Sequence, residues 1–229
     1  MNIVARILRS CHRRWPALDS RLPTGVRRWL LLHVFGARRR YRTLMALPSR
    51  QFLLAEVFPW MIRHCRCILF VGAAPYTYHY QTIFRRAGVR FVTMDVDAGA
   101  RIWGAQEHIQ APVQEVDRRF APEKFDGVVL NGVFGFGVDS PLEMNRTLAA
   151  VARVLRPGGL LLLGWNTDRT ASPLELEESA RWYTPVANLP FPPRRTFAGE
   201  THVYDFLQRR PDPISLPMPK NPSSSSTHP

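Results

Sequence analysis

Four leucines in a row, Leu160-Leu161-Leu162-Leu163, stand between Pro157-Gly158-Gly159 and Gly164. The run is too short for a buried helix and shows no alternation. Helix-breaking residues close it on both sides, so it reads as a strand buried on both faces. Such a strand needs a sheet covered above and below, which is the mark of α/β proteins with parallel strands. The run Cys67-Ile68-Leu69-Phe70-Val71, ending at Gly72, has the same character. So does Phe125-Asp126-Gly127-Val128-Val129-Leu130-Asn131.

The segments between these runs carry helical patterns. The spacing predicts a helix over Thr77 to Ala87, closed by Gly88, and a second strand over Val89 to Asp95. A short helix is expected from Ala98 to Gln106. A weak third strand from His108 to Val113 is demoted by Pro112. Pro141 to Leu155 predicts a helix whose inner face is Leu142, Leu148, Val151, Ala152 and Leu155. Beyond Asn166 the expectations are a short helix over Pro173 to Trp182, a proline-rich loop from Pro185 to Pro193, and a half-exposed strand over Thr201 to Leu207.

The start of the chain is different. Among the 229 residues the formal charge is +13, and before residue 51 Asp19 is the only acid. Ile3, Ile7 and Leu8 repeat at helical spacing. Thr24 is placed to cap a second helix with Val26, Trp29, Leu30, His33 and Val34 on one side. A third helix would start at Ser49 as N-cap and run through Phe52, Leu53, Val57 and Trp60 to Ile62, with Pro59 expected to break or kink it. Residues 1–65 thus read as a basic helical extension or lid, 66–210 as the main domain, and 211–229 as a disordered Pro/Ser tail. The basic segment suits an anionic partner: a membrane surface, a phosphorylated substrate or, less readily, nucleic acid. No apolar run is long enough to span a bilayer. Cys11, Cys65 and Cys67 make no disulfide framework and no zinc spacing, which implies a reducing, cytoplasmic setting, peripheral to a membrane if the basic segment binds one.

Four segments together resemble the class I S-adenosylmethionine-dependent methyltransferases, of the kind called methyltransferase type 11 or 25. They are Phe70-Val71-Gly72, Met94-Asp95-Val96-Asp97, Lys124-Phe125-Asp126-Gly127-Val128-Val129, and Leu155-Arg156-Pro157-Gly158-Gly159 with the apolar run behind it. The match spans about residues 66–208. It implies a Rossmann-like open, mostly parallel sheet with helices on both faces and a late antiparallel strand. It also implies S-adenosylmethionine as cofactor and a small-molecule acceptor methylated on oxygen or nitrogen.

By this resemblance Gly72, Ala73, Ala74, Tyr76, Asp95 and Asn131 are the cofactor-binding residues. Asp95 accepts the ribose hydroxyls, with Asp97 its rival. His79, as a base, and Asn131, as an orienting amide, are the catalytic candidates; no metal is expected. The family's Gly-x-Gly-x-Gly is here Gly72-Ala73-Ala74-Pro75-Tyr76, and Pro112 stands where many relatives carry an adenine-contacting acid. These departures fit a second reading, a degenerate fold that binds a partner or membrane without catalysis. The charge alone suggests a third, an RNA methyltransferase.

Overall fold

The computed structural model describes residues 41–214 together with Pro23, Gly25, Val26, Arg28 and Trp29. The predicted first helix, most of the second and most of the tail lie outside the described residues.

Gly25, Val26, Arg28 and Trp29 are helical, and two short helices, α1 (Arg42–Met45) and α2 (Pro48–Phe52), open the continuous stretch from residue 41. A π-helical turn (Leu53–Val57) joins α2 to α3 (Phe58–His64). Pro59 therefore does not end the helix. It has no N–H to give the carbonyl four residues back, and the widened turn just before it makes room for its ring. The N-cap is Leu47 with Pro48 in the first turn, not Ser49. Ser49 instead donates from its backbone N–H and its hydroxyl to the carboxylate of Glu200 (3.0 and 2.5 Å).

The alternation then begins: β1 (Cys67–Val71), α4 (Tyr80–Arg86), β2 (Arg90–Asp95), β3 (Glu107–Gln110), α5 (Val116–Arg119), β4 (Phe125–Asn131), α6 (Pro141–Val154) and β5 (Leu155–Asn166). α7 (Glu177–Trp182), β6 (Tyr183–Pro185), β7 (Arg194–Thr196) and β8 (His202–Arg209) complete it. The helix expected from Thr77 begins three residues later, because Thr77 closes a turn onto Ala74. A 3₁₀ helix, Ala98–Trp103, stands in place of the short helix expected from Ala98, and the one expected over Pro173 to Trp182 is a 3₁₀ turn (Pro173–Glu175) followed by α7. α6 starts on a capping box. The Ser140 hydroxyl accepts the Glu143 N–H, and the Glu143 carboxylate accepts the Ser140 N–H. Leu142, assigned to its inner face, is 61% exposed in the first turn.

The eight strands form one sheet in the order β3-β2-β1-β4-β5-β8-β6, with β7 also on β8. β1 to β5 pair in parallel; β8 runs antiparallel to β5, β6 and β7. β8 is the predicted late antiparallel strand, but it is buried from His202 to Leu207 rather than half-exposed. It lies between β5 on one side and β6 and β7 on the other, so neither edge faces water. Strand alternation divides the core into two layers. Leu69, Val71, Val128, Leu130, Leu161 and Leu163 pack with Leu148 and Val151 of α6. On the opposite face Ile68, Phe70, Val129, Leu162 and Phe206 pack with Leu53, Val57, Phe58 and Met61. The helical run 48–64 is therefore part of the body of the fold. Cys65 is buried in this second layer, and burial pushes its thiol up to about 12.

Chain order reverses at β1, which has β2 on one side and β4 on the other. In an open parallel sheet ligands bind at such a switch point, beyond the carboxyl ends of the strands. Gly72, Asp95 and Asn131 all stand at those ends.

Candidate functional site

At the end of β1 the chain turns through Gly72, whose φ is +92°. This left-handed backbone, rather than crowding, is what requires glycine there: an added Cβ would meet nothing nearer than the Asn131 carbonyl at 3.9 Å. The turn brings the Ala73 N–H to the Asp95 carboxylate (2.7 Å), while the other Asp95 oxygen accepts the Asp97 N–H (2.9 Å). Asp95 is thus fixed at the tip of β2 against the glycine turn. Asp97 has separate work, accepting the Gly99 N–H (2.7 Å) as N-cap of the 3₁₀ turn. Between them Val96 is 67% exposed, an apolar side chain presented to solvent beside the acid.

The rest of the glycine-loop sequence faces elsewhere. The Ala74 N–H donates to the Thr77 hydroxyl (3.0 Å). Tyr76 turns to the N-terminal helices, its ring 5.4 Å from that of Tyr41 and 5.1 Å from the Arg50 guanidinium. His79 is exposed at the start of α4, its ring against Tyr80. It lines a cavity of about 760 Å³ with Tyr76, Tyr78, Trp29 and Tyr41. Asn131 is buried at the end of β4. Its side chain lies across Gly164, where an added Cβ would sit 2.5 Å from Oδ1, and its amide reaches the Tyr204 hydroxyl at 3.5 Å. The structure does not bring His79 and Asn131 together.

A second cavity, about 250 Å³, opens beyond β4, β5 and β8. Arg50, Tyr76, Gly132, Phe136, Arg169 and His202 are among its walls. Sequence reasoning missed Arg50 and His202. Arg50 is 9% exposed and, among the described residues, has no carboxylate partner. His202 is 8% exposed. Asn166 gives its amide N–H to Thr201 (2.9 Å), which leaves its carbonyl oxygen facing His202 Nδ1 at 3.1 Å. Nδ1 therefore carries the proton and Nε2 a lone pair, and Nε2 has no partner among the described residues. Burial first, then the Arg50 charge, hold the imidazole down at about 3, so it is neutral at pH 7. A period-two pattern marked His202 as strand; nothing local in the sequence marked it as pocket.

Residues 72–163 match the family model described as Methyltransferase domain. No curated protein matches the chain in sequence. Three solved structures have the same fold at low identity. The 1,6-didemethyltoxoflavin-N1-methyltransferase of Burkholderia thailandensis, with 1,6-didemethyltoxoflavin and S-adenosylhomocysteine bound, is 17% identical over 85% of this chain and 94% of its own (TM-score 0.53). The N-methyltransferase NodS of Bradyrhizobium japonicum WM9, in complex with S-adenosylhomocysteine, is 15% identical over 75% and 92% (TM-score 0.54). The PH0226 protein of Pyrococcus horikoshii OT3 is 14% identical over 82% and 99% (TM-score 0.54).

Strand order, the acid closing β2 and the family match define a class I S-adenosylmethionine-dependent methyltransferase fold. Residues 72–163 are those that match the methyltransferase model, and the cofactor that such a domain implies is S-adenosylmethionine. The residues present fit it. Asp95 has lone pairs left for a diol after its two backbone contacts, and exposed Val96 offers an apolar face beside it. No helix among the described residues is long and apolar enough to cross a membrane.

Proposed function

We propose that this protein transfers the methyl group of S-adenosylmethionine to oxygen or nitrogen of a small-molecule acceptor. The observation that carries the reading is the Asp95 carboxylate, held by the Ala73 N–H at the mouth of the glycine turn with Val96 exposed beside it. In this reading Asp95 takes the ribose hydroxyls, Gly72, Ala73 and Ala74 give the backbone its close approach, and Asn131 closes the floor at the end of β4. The bound cofactor supplies an activated methyl group on a sulfonium. The protein's own task is alignment and exclusion of water, which brings the acceptor's lone pair in line at contact distance.

Titration calorimetry with S-adenosylhomocysteine tests this. Binding is expected, and Asp95→Ala should weaken it at least tenfold. A folded protein that binds neither S-adenosylhomocysteine nor S-adenosylmethionine would overturn the proposal.

A further inference from the structure

Two side chains lining the 250 Å³ cavity carry a group not fully matched among the described residues. The Arg50 guanidinium is buried, permanently charged and without a carboxylate partner there, on a wall beside the ring of Tyr76. Its near neighbours, the Tyr80 hydroxyl and the Tyr76 ring, are neutral. Buried charges are normally paired with an opposite charge, so a cation without a carboxylate on a cavity wall is matched to an anion that arrives from outside. Arg169, whose guanidinium lies over the Phe136 ring at 5.3 Å, adds a second cation. Glu200 is the acid on the same wall, and Ser49 already occupies its carboxylate. The second unmatched group is the buried Nε2 lone pair of His202.

The cavity does not include the residues that hold the Asp95 carboxylate at the glycine turn. Gly72, Ala73 and Asp95 do not line this cavity; Gly132, just past the end of β4, does. Its volume is below the roughly 300–1,000 Å³ of pockets for drug-sized ligands, which suits a small acceptor.

We propose that this cavity is the acceptor site, and that it selects a small anionic acceptor whose acid group pairs with Arg50 and whose O–H or N–H donates to Nε2 of His202. The inference rests on the methyl-transfer reading and adds the substrate class to it. The hydrogen bond to Nε2 fixes the acceptor's X–H, and so aims the remaining lone pair of X at the methyl carbon. The X–C bond forms as the S–C bond breaks, with the S–C electron pair left on sulfur. The proton leaves the methylated product to water. An imidazole held near 3 does not retain it, so His202 positions the acceptor and is not the base that deprotonates it.

The test is calorimetry on the full chain, saturated with S-adenosylhomocysteine, against a panel of small hydroxy and amino acids. 4-Hydroxybenzoate, salicylate and anthranilate are included, each matched with its neutral carboxamide. The acids should bind at least tenfold more tightly than their amides, and Arg50→Gln should remove that gap. His202→Phe should weaken acid binding about tenfold, with His202→Gln, which keeps an acceptor atom, restoring most of it. In all three variants the affinity for S-adenosylhomocysteine should be unchanged.

Equal binding of acids and amides would overturn the proposal, as would a panel without a binder in a protein that binds S-adenosylhomocysteine. If Arg50→Gln instead weakens S-adenosylhomocysteine tenfold, Arg50 serves the cofactor's carboxylate and the assignment to the acceptor fails. A wild-type protein that does not bind S-adenosylhomocysteine removes the methyl-transfer reading itself, a different failure. Histidine ¹H–¹⁵N spectra give a check free of substitution. At pH 7 Nε2 of His202 should be bare and should shift when an acid binds; a protonated Nε2 in the empty protein would sink the idea.

Discussion

A histidine buried without a counter-charge leaves a mark on stability as well as on binding. His202 sits at about 3 in the folded chain against an ordinary 6.5, with Arg50 from α2, Asn166 from β5, Glu200 before the strand and Tyr204 beside it. Below pH 6.5 the unfolded chain takes up a proton at this position and the folded chain does not. Stability is therefore complete above pH 6.5 and is lost as pH falls toward 3. At about 1.4 kcal/mol per pH unit, the loss is on the order of 5 kcal/mol. Urea unfolding at pH 7, 5.5 and 4.5 should show His202→Gln with a visibly shallower loss than wild type; parallel curves would refute the burial argument. The two neighbouring acids can be separated in the same way. Asp97→Ala removes an N-cap and should cost about 1 kcal/mol, with S-adenosylhomocysteine affinity intact. Asp95→Ala should weaken that affinity at least tenfold, and by freeing the Ala73 and Asp97 N–H groups it should cost stability as well.

Among the elements, the strands were the most legible. β4 runs from Phe125 to Asn131 as its apolar pattern predicts, and α6 is bounded by Pro141 and the Leu155-Arg156-Pro157-Gly158-Gly159 segment, both local signals. β8 misled because Asp205 in a hydrophobic run reads as an outward-facing residue. In the fold Asp205 is 1% exposed. It accepts from the indole N–H of Trp165 (2.8 Å) and from Arg194 (2.6 and 3.0 Å), partners on β5 and β7 that no spacing rule connects. The pair is asymmetric, because the Arg194 side chain is 46% exposed. Arg194→Ala leaves a carboxylate buried without its cation and should cost about 3 kcal/mol. Asp205→Asn leaves an arginine that can turn to water and should cost roughly 1–2 kcal/mol. Denaturant titration of both variants checks the order, and a larger loss for Asp205→Asn would contradict it. The helical run 48–64 is core for the same tertiary reason. Phe58→Ala should cost about 3–5 kcal/mol, a value that belongs to a hydrophobic centre and not to a detachable lid.

For the whole molecule, the two halves of the site lie on either side of the β1–β4 junction. The half proposed for the cofactor, Gly72 with Asp95, could be picked out because both residues end strands and carry motifs. The other half was not, since Arg50 and His202 come from opposite ends of the described chain and meet only when β8 inserts beside β5. Ligand binding to such a pre-formed cleft should show as added stability. S-adenosylhomocysteine at a hundred times its dissociation constant should raise the unfolding free energy by about 2.7 kcal/mol, measurable as an upward shift in Tm. The π-helical turn before Pro59 has a bearing on this cleft as well. One extra residue in a helix turns everything on its N-terminal side by about 100° relative to the residues on its C-terminal side. The turn between Leu53 and Val57 thus works as a phase shifter between two segments of one rod. The C-terminal segment keeps Phe58 and Met61 in the core. The N-terminal segment is rotated so that Ser49 meets Glu200 and Arg50 faces the cavity, and the charge that reads the acceptor is aimed by an irregularity several residues away.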